Sequence, residues 1–301
     1  MGTTACRARR LRHLAFMTVL GVSAGLLSAA PAWADEPAKD GAAEKKGDSA
    51  EEKDAAEKKD EGAKKATSPN DPREDPLERY YFLGVRFRDV VVPQFMMEIF
   101  AKGGATGNVW LVGPELTTRK DRTEIDISLT YADYGFGPAM FRGKNDEDIA
   151  YEVITSDMKV VYLNFDLLID FPLDDAGMFS FLIGGGVGVG VVAGDLYRAQ
   201  AYPTDGGAPD PSDPKKWTKC EFAGDGFGNY CDDGNSAFST NGKDYSEPSW
   251  ADGGSKPIIL PWLTIPQISF RAKPIKQLQI RADVGFALTG FFFGLSSGYG
   301  F

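Results

Sequence analysis

Ten charged residues recur at alternate positions of otherwise apolar segments: Arg86, Arg88, Arg271 and Arg281, with Glu115, Glu124, Asp126, Asp166, Asp170 and Asp283. Two chemistries fit such a set. Paired carboxylates can act as general acid and base, although these show no diagnostic spacing. Opposite charges lining one space can instead neutralise each other, because a buried charge is tolerated only when paired. A selective path for a small solute is the functional version of that second arrangement. The single histidine, His13, lies in the N-terminal segment. If that segment is removed, the base of a serine triad and a histidine-ligated metal site are both unavailable. The sequence therefore predicts a chain that is not an enzyme, with no cofactor and no metal site.

Three cysteines are present, Cys6, Cys220 and Cys231. The last two lie in a Gly-, Pro- and Asp-rich segment, and in an exported protein they predict a disulfide. Asp225, Asn229, Asp232, Asp233 and Asn235 surround them. Oxygen ligands suit calcium, but this spacing is not that of an EF-hand.

Period-two alternation positions the charges. From Lys276, one face reads Leu278, Ile280, Ala282, Val284, Phe286 and Leu288, and the other Gln279, Arg281 and Asp283. After a turn near 288–290 the pattern resumes as Phe291, Phe293, Leu295, Ser297, Tyr299 and Phe301, with Gly294, Ser296, Gly298 and Gly300 between. Such alternation makes a strand with two different environments. In a transmembrane barrel the apolar face meets lipid and the other lines the lumen.

This final strand, with Phe291, Phe293, Leu295, Tyr299 and a terminal Phe301, resembles the assembly signal of bacterial outer-membrane β-barrel proteins. The resemblance covers roughly 80–301 by pattern. It implies an antiparallel up-and-down barrel, outer-membrane lipid as surroundings and the barrel-assembly machinery as a partner.

The remaining segments follow the same rule. Residues 80–88 place Tyr81, Leu83, Val85 and Phe87 opposite Phe82, Gly84, Arg86 and Arg88. Residues 93–101 change period and predict a short helix. Strands follow at 108–118, with Trp110, Val112 and Leu116 outward, and at 122–134, separated by a polar turn at 119–121. After a polar loop at 135–157, strands follow at 159–171 and 179–193. The inner face of the latter is a strip of Gly184, Gly186, Gly188 and Gly190. Glycine there fits a crowded interior, and is also the best argument for an open channel. A dinucleotide fingerprint is ruled against by the missing helix and spaced acid. A long loop at 195–257 precedes a strand at 258–272, read with Leu260, Trp262, Ile268 and Phe270 outward and Gln267, Ser269 and Arg271 inward. The count is eight strands; ten is the alternative if the long loop contributes a hairpin.

At the N-terminus, four arginines precede an apolar run that ends at Ala32-Trp33-Ala34, which reads as a signal peptide over 1–34. Residues 35–78 are rich in Ala, Lys and Glu with Leu77 as the one large aliphatic residue, and predict a disordered periplasmic linker, able to serve as a tether to a periplasmic partner. The barrel domain is expected over 79–301. The formal net charge of −10 argues against nucleic acid as a partner. The expected function is a structural or surface-binding barrel acting through its disulfide-stapled loop, with a porin-like small-solute channel as the alternative.

Overall fold

The computed structural model describes residues 71–97, 101–103, 106–206, 210–231 and 237–301; residues 1–34, the expected signal peptide, and most of the expected linker lie outside them. Among the described residues there are fourteen strands and a few short helical segments. Eight of them close into an antiparallel barrel: β1 (Arg79–Val92), β3 (Gly107–Lys120), β4 (Thr123–Asp133), β7 (Lys159–Pro172), β8 (Phe179–Ala193), β12 (Ile259–Ile275), β13 (Leu278–Ala287) and β14 (Gly290–Gly300), in the cyclic order β1-β14-β13-β12-β8-β7-β4-β3. Each pairs with its neighbour in sequence among the eight, and the first closes on the last, from Phe82↔Gly300 to Val91↔Phe291. This is an all-β, up-and-down, transmembrane barrel. Closure removes every sheet edge, which allows a strand structure to cross a bilayer.

The outer wall is apolar on every strand. Leu83 and Val85, Ile127 and Leu129, Leu163 and Phe165, Val187 and Val191, Phe293 and Leu295 are all exposed. In water such a girdle would be unstable; in a bilayer it is the lipid-facing surface.

Three connections are short, at 121–122, 173–178 and 276–277. Three on the opposite side are long, and each has one or more short strands built into it. They carry β2 (Ala101–Gly103), β5 (Phe136–Gly143), β6 (Glu152–Ser156), β9 (Leu196–Pro203), β10 (Trp217–Lys219) and β11 (Tyr245–Ser246). These make a second, six-stranded sheet in the order β10-β9-β6-β5-β2, with β11 paired to β9. The expected loops at 135–157 and 195–257 thus contain short strands that the sequence reading did not predict. The barrel nevertheless stays at eight strands, because the added strands pair with each other. Met140, Tyr151, Val153, Ala201 and Trp217 form a core for this sheet, separate from that of the barrel. By the usual rule that long connections face outward and short turns face the periplasm, this sheet lies on the outer side.

Two further expectations are corrected. The helix at 93–101 is described only over Gln94–Met97, and Ala101 already belongs to β2. In β12, Trp262 is buried, not lipid-facing. A register shift between Thr264 and Gln267 inserts an extra residue, and one extra residue exchanges the two faces of a strand. Before the shift Trp262 and Thr264 point inward; after it Gln267, Ser269 and Arg271 do, as read from the sequence.

Candidate functional site

The barrel interior is filled in three layers. Strand pairing alone would make the middle layer unstable: Asp126 stands opposite Asp166 across β4 and β7, and Arg271 opposite Arg281 across β12 and β13. Like charges directly opposite repel. The arrangement holds because each like pair is bridged from across the lumen. Arg86 on β1 donates to both aspartates, through Nη2 to Asp126 Oδ2 at 2.9 Å and through Nη1 to Asp166, and its Nε pairs with Glu115. Glu124 on β4 accepts from both arginines, from Arg271 Nη1 at 2.6 Å and from Arg281 Nη1. Arg281 is the hub. Besides Glu124 it reaches Asp126 at 2.7 Å, Glu115 at 3.2 Å and Asp283 at 2.9 Å. Arg88 donates to Asp166 at 2.7 Å and to Gln267 at 3.0 Å, and Arg271 also pairs with Asp170. All ten charged residues named from the sequence therefore lie buried in one ion-pair lattice.

The glycine strip makes room for this lattice. A Cβ on Gly186 would strike the Asp166 carboxylate, one on Gly188 the Asn164 side chain, and one on Gly190 the Tyr162 ring. Space left empty by glycine is occupied by side chains from β7, so the strip no longer argues for a channel.

Toward the outer end the lattice meets an apolar layer of Val90, Leu111, Val160, Tyr162, Trp262 and Phe292. Arg88 joins the two, its guanidinium 4.7 Å from the Phe292 ring centre, a cation–π contact. Tyr162 shares a 2.8 Å hydroxyl hydrogen bond with Tyr134 and sets its ring edge-on to Trp262.

The periplasmic end is closed by residues the sequence did not single out. Arg119, assigned to a turn, is the penultimate residue of β3 and points inward, donating to Glu124 at 2.8 Å and to Gln279. Glu74 reaches across the mouth to Arg119 at 2.7 Å and to Lys273. Glu74, read from the sequence as part of the 35–78 linker, is held at the rim because two cations capture its carboxylate. Burial opposes the Glu74 charge, but Arg119 and Lys273 outweigh it and hold the carboxyl below the usual carboxylate range. Arg119 lies 5.0 Å from the Phe82 ring, and Lys273 5.7 Å from those of Tyr80 and Phe82.

On the outer side, Cys220 and Cys231 are joined in a disulfide. Beside it the Cys220 amide donates to the Gln200 carbonyl on β9 at 2.8 Å. Asp225 is turned onto its own loop, accepting from the amides of Glu221 at 3.0 Å and Gly226 at 2.8 Å; Asp232, Asp233 and Asn235 lie outside the described residues. Arg198 on β9 ties the sheet together, gripping Glu152 of β6 with Nε and Nη2 at 2.7 and 2.8 Å and Glu247 with Nη1 at 2.7 Å. Burial works against the Arg198 charge, but Glu152 and Glu247 prevail and raise its pKa above the ordinary arginine value. Phe291, Phe293, Leu295 and Tyr299 sit exposed along β14, and Phe301 stacks on Tyr81 at 6.3 Å.

No protein-family model and no curated protein matches the sequence. Among solved structures, the chain is similar to the attachment invasion locus protein Ail of Yersinia pestis, with 12% identity, a TM-score of 0.34, and coverage of 75% of this chain and 100% of that one. It is also similar to Neisserial surface protein A, with 8% identity, a TM-score of 0.34, and coverage of 74% and 97%. The assignment as an eight-stranded transmembrane barrel rests on this chain's own strand pairing and apolar wall.

Proposed function

We propose that this chain is a non-conducting, non-enzymatic outer-membrane barrel that holds a folded, disulfide-stapled sheet at the cell surface as a binding platform. One observation carries the reading. The lumen is sealed along its length, by Glu74 and Arg119 at one end and by Trp262, Tyr162 and Phe292 at the other, while the long connections form a sheet with its own core. A barrel built to pass solute keeps its interior open; an interior packed with paired charge gives rigidity to whatever the rim carries. Export through cleavage after Ala34, insertion by the barrel-assembly machinery, and a periplasmic or peptidoglycan tether in the 35–78 linker complete the proposal.

The test has two arms. Refolded protein in a planar bilayer should give no discrete conductance steps, and trypsin applied to intact cells should cut within the outer sheet, at exposed sites such as Lys215 and Lys243. Sustained ohmic steps would replace this reading with the porin-like one. Full protection of the sheet in intact cells, with cleavage only after lysis, would remove it from the surface.

A further inference from the structure

The outer wall carries one feature that the closed lumen and the outer sheet leave unexplained. At the periplasmic rim, across β1, β3 and β4, a cavity of about 330 Å³ is lined by Arg79, Thr118, Lys120, Asp121, Thr123 and Ile125. Pairing explains its shape. Arg79 is the register partner of Lys120, and Lys120 of Thr123; one row up, Tyr81 partners Thr118 and Thr118 partners Ile125. Small threonines thus stand between longer side chains, and the hollow opens on the lipid-facing side. Its volume is in the range of small-ligand sites, which begin at about 300 Å³.

Its charge is the second observation. Arg79 and Lys120 are exposed cations set directly opposite each other on neighbouring strands, their Cβ atoms about 5 Å apart by strand geometry. Like charges in that position repel. In the lumen every such pair is bridged by an opposite charge; here neither residue has an ion-pair partner among the described residues, and Asp121, the third charged lining group, pairs with neither. An anion between them would complete the pattern. The third observation is depth. Tyr81 stands immediately above, stacked on Phe301, and Leu83, Leu116 and Ile127 form the next row. Aromatic residues mark the headgroup level of a bilayer, so the two cations lie where lipid phosphates lie.

We infer that this cavity binds the phosphate of a phospholipid in the periplasmic leaflet. Arg79 grips the phosphate oxygens with its planar fork, and Lys120 adds a point charge from the facing strand. The glycerol sits against Thr118 and Thr123, and one acyl chain runs up past Ile125 and Leu116. The inference rests on the barrel spanning a membrane, and does not depend on what the outer sheet binds.

Native mass spectrometry of the full protein, released from detergent containing phosphatidylglycerol, tests it. Wild type should retain one lipid, and should prefer phosphatidylglycerol to diacylglycerol, which lacks the phosphate. Arg79→Gln with Lys120→Gln should weaken retention by roughly tenfold or more. Lys144→Gln with Lys243→Gln, the same charge change on the outer side, should leave it unaltered. In lipid-free detergent the Arg79/Lys120 variant should unfold at no lower urea than wild type, because two facing cations have been relieved. Thr118→Trp, which fills the cavity and keeps both cations, should also lose the lipid. Equal retention by either cavity variant, or equal retention of diacylglycerol, would overturn the site. Displacement of phosphatidylglycerol by an equal concentration of inorganic phosphate would assign the cavity to free phosphate instead. A wild type whose mobility in SDS is unaffected by boiling would undermine the barrel reading itself, an outcome distinct from all of these.

Discussion

Replacing Arg281 by alanine is the most informative single change in the lumen. Its guanidinium serves four carboxylates, and their fates differ. Glu124 keeps Arg119 and Arg271, and Glu115 and Asp126 keep Arg86. Asp283 keeps no ion pair, since Arg281 is its sole such partner among the described residues. Both groups are essentially inaccessible, at 1% and 0% exposure; Arg86 and Arg88 still attract the Asp283 carboxylate, so the cost is at most that of stranding one buried charge, about 3–5 kcal/mol. With a urea slope of about 2 kcal/mol per molar, that loss lowers the unfolding midpoint by roughly 1.5–2.5 M. Urea titration of the refolded barrel, followed by the SDS mobility shift or tryptophan fluorescence, measures it. Gln279→Ala, on the same face of β13, removes one hydrogen bond to an Arg119 that still holds Glu124 and Glu74, and should cost about 1 kcal/mol. Adding Asp283→Asn to Arg281→Ala should recover part of the loss, because the stranded charge is then gone. An Arg281→Ala midpoint within about 0.5 M of wild type, a shift of about 1 kcal/mol, would show that the lattice does not stabilise the barrel and that the lumen is hydrated enough to tolerate a lone aspartate.

The other expectations are narrower. The Glu74 carboxyl is held below its ordinary value of about 4.3, so its contribution is complete above that value and is lost as pH falls through the lowered folded-state value. Amide exchange over 72–78, corrected for its intrinsic pH dependence, should be slow near neutrality and should accelerate as the pH falls below the ordinary carboxylate range, while Glu74→Gln should be fast throughout. Cys220→Ser with Cys231→Ser opens a link between residues 11 apart in sequence and should cost the outer sheet about 2–3 kcal/mol, read as faster proteolysis there with the SDS resistance of the barrel unchanged. Gly186→Ala forces a methyl group into the Asp166 carboxylate and should destabilise by about 1–3 kcal/mol, whereas Gly137→Ala, which meets nothing within 4 Å, should be neutral in the same urea titration.

Regular alternation was a sufficient guide where nothing interrupted it. On β7, β13 and β14 the apolar and polar faces read from the sequence are those facing lipid and lumen. It failed on β12 before Thr264, because the extra residue there leaves no mark in composition, and Trp262 is as plausible on a membrane wall as in a core. Arg119 is not legible as a lumen residue, because a polar residue beside a tight turn reads as part of the turn; only the continuation of β3 to Lys120 shows it inward. Glu74 was illegible for a different reason. No periodicity distinguishes one glutamate in an acidic and basic linker, and its place is set by two cations far along the chain. The outer sheet was missed because its strands are short and draw partners from three separate connections, as in β6 pairing with β9. A pairing that spans such distances has no local signature.

The outer sheet also constrains how this surface can vary. Independent loops on a barrel rim can be lengthened, shortened or exchanged one at a time, since each answers only to its own two strands. Here β2, β5 with β6, and β9 to β11 come from three different connections and share one ladder of hydrogen bonds. A deletion in any one exposes the backbone of its neighbours, so the three must change together or hardly at all. The two-residue link between β13 and β14 stands outside this arrangement. Sequence inserted there would not interrupt that shared ladder, which makes it a suitable position for a tag or epitope.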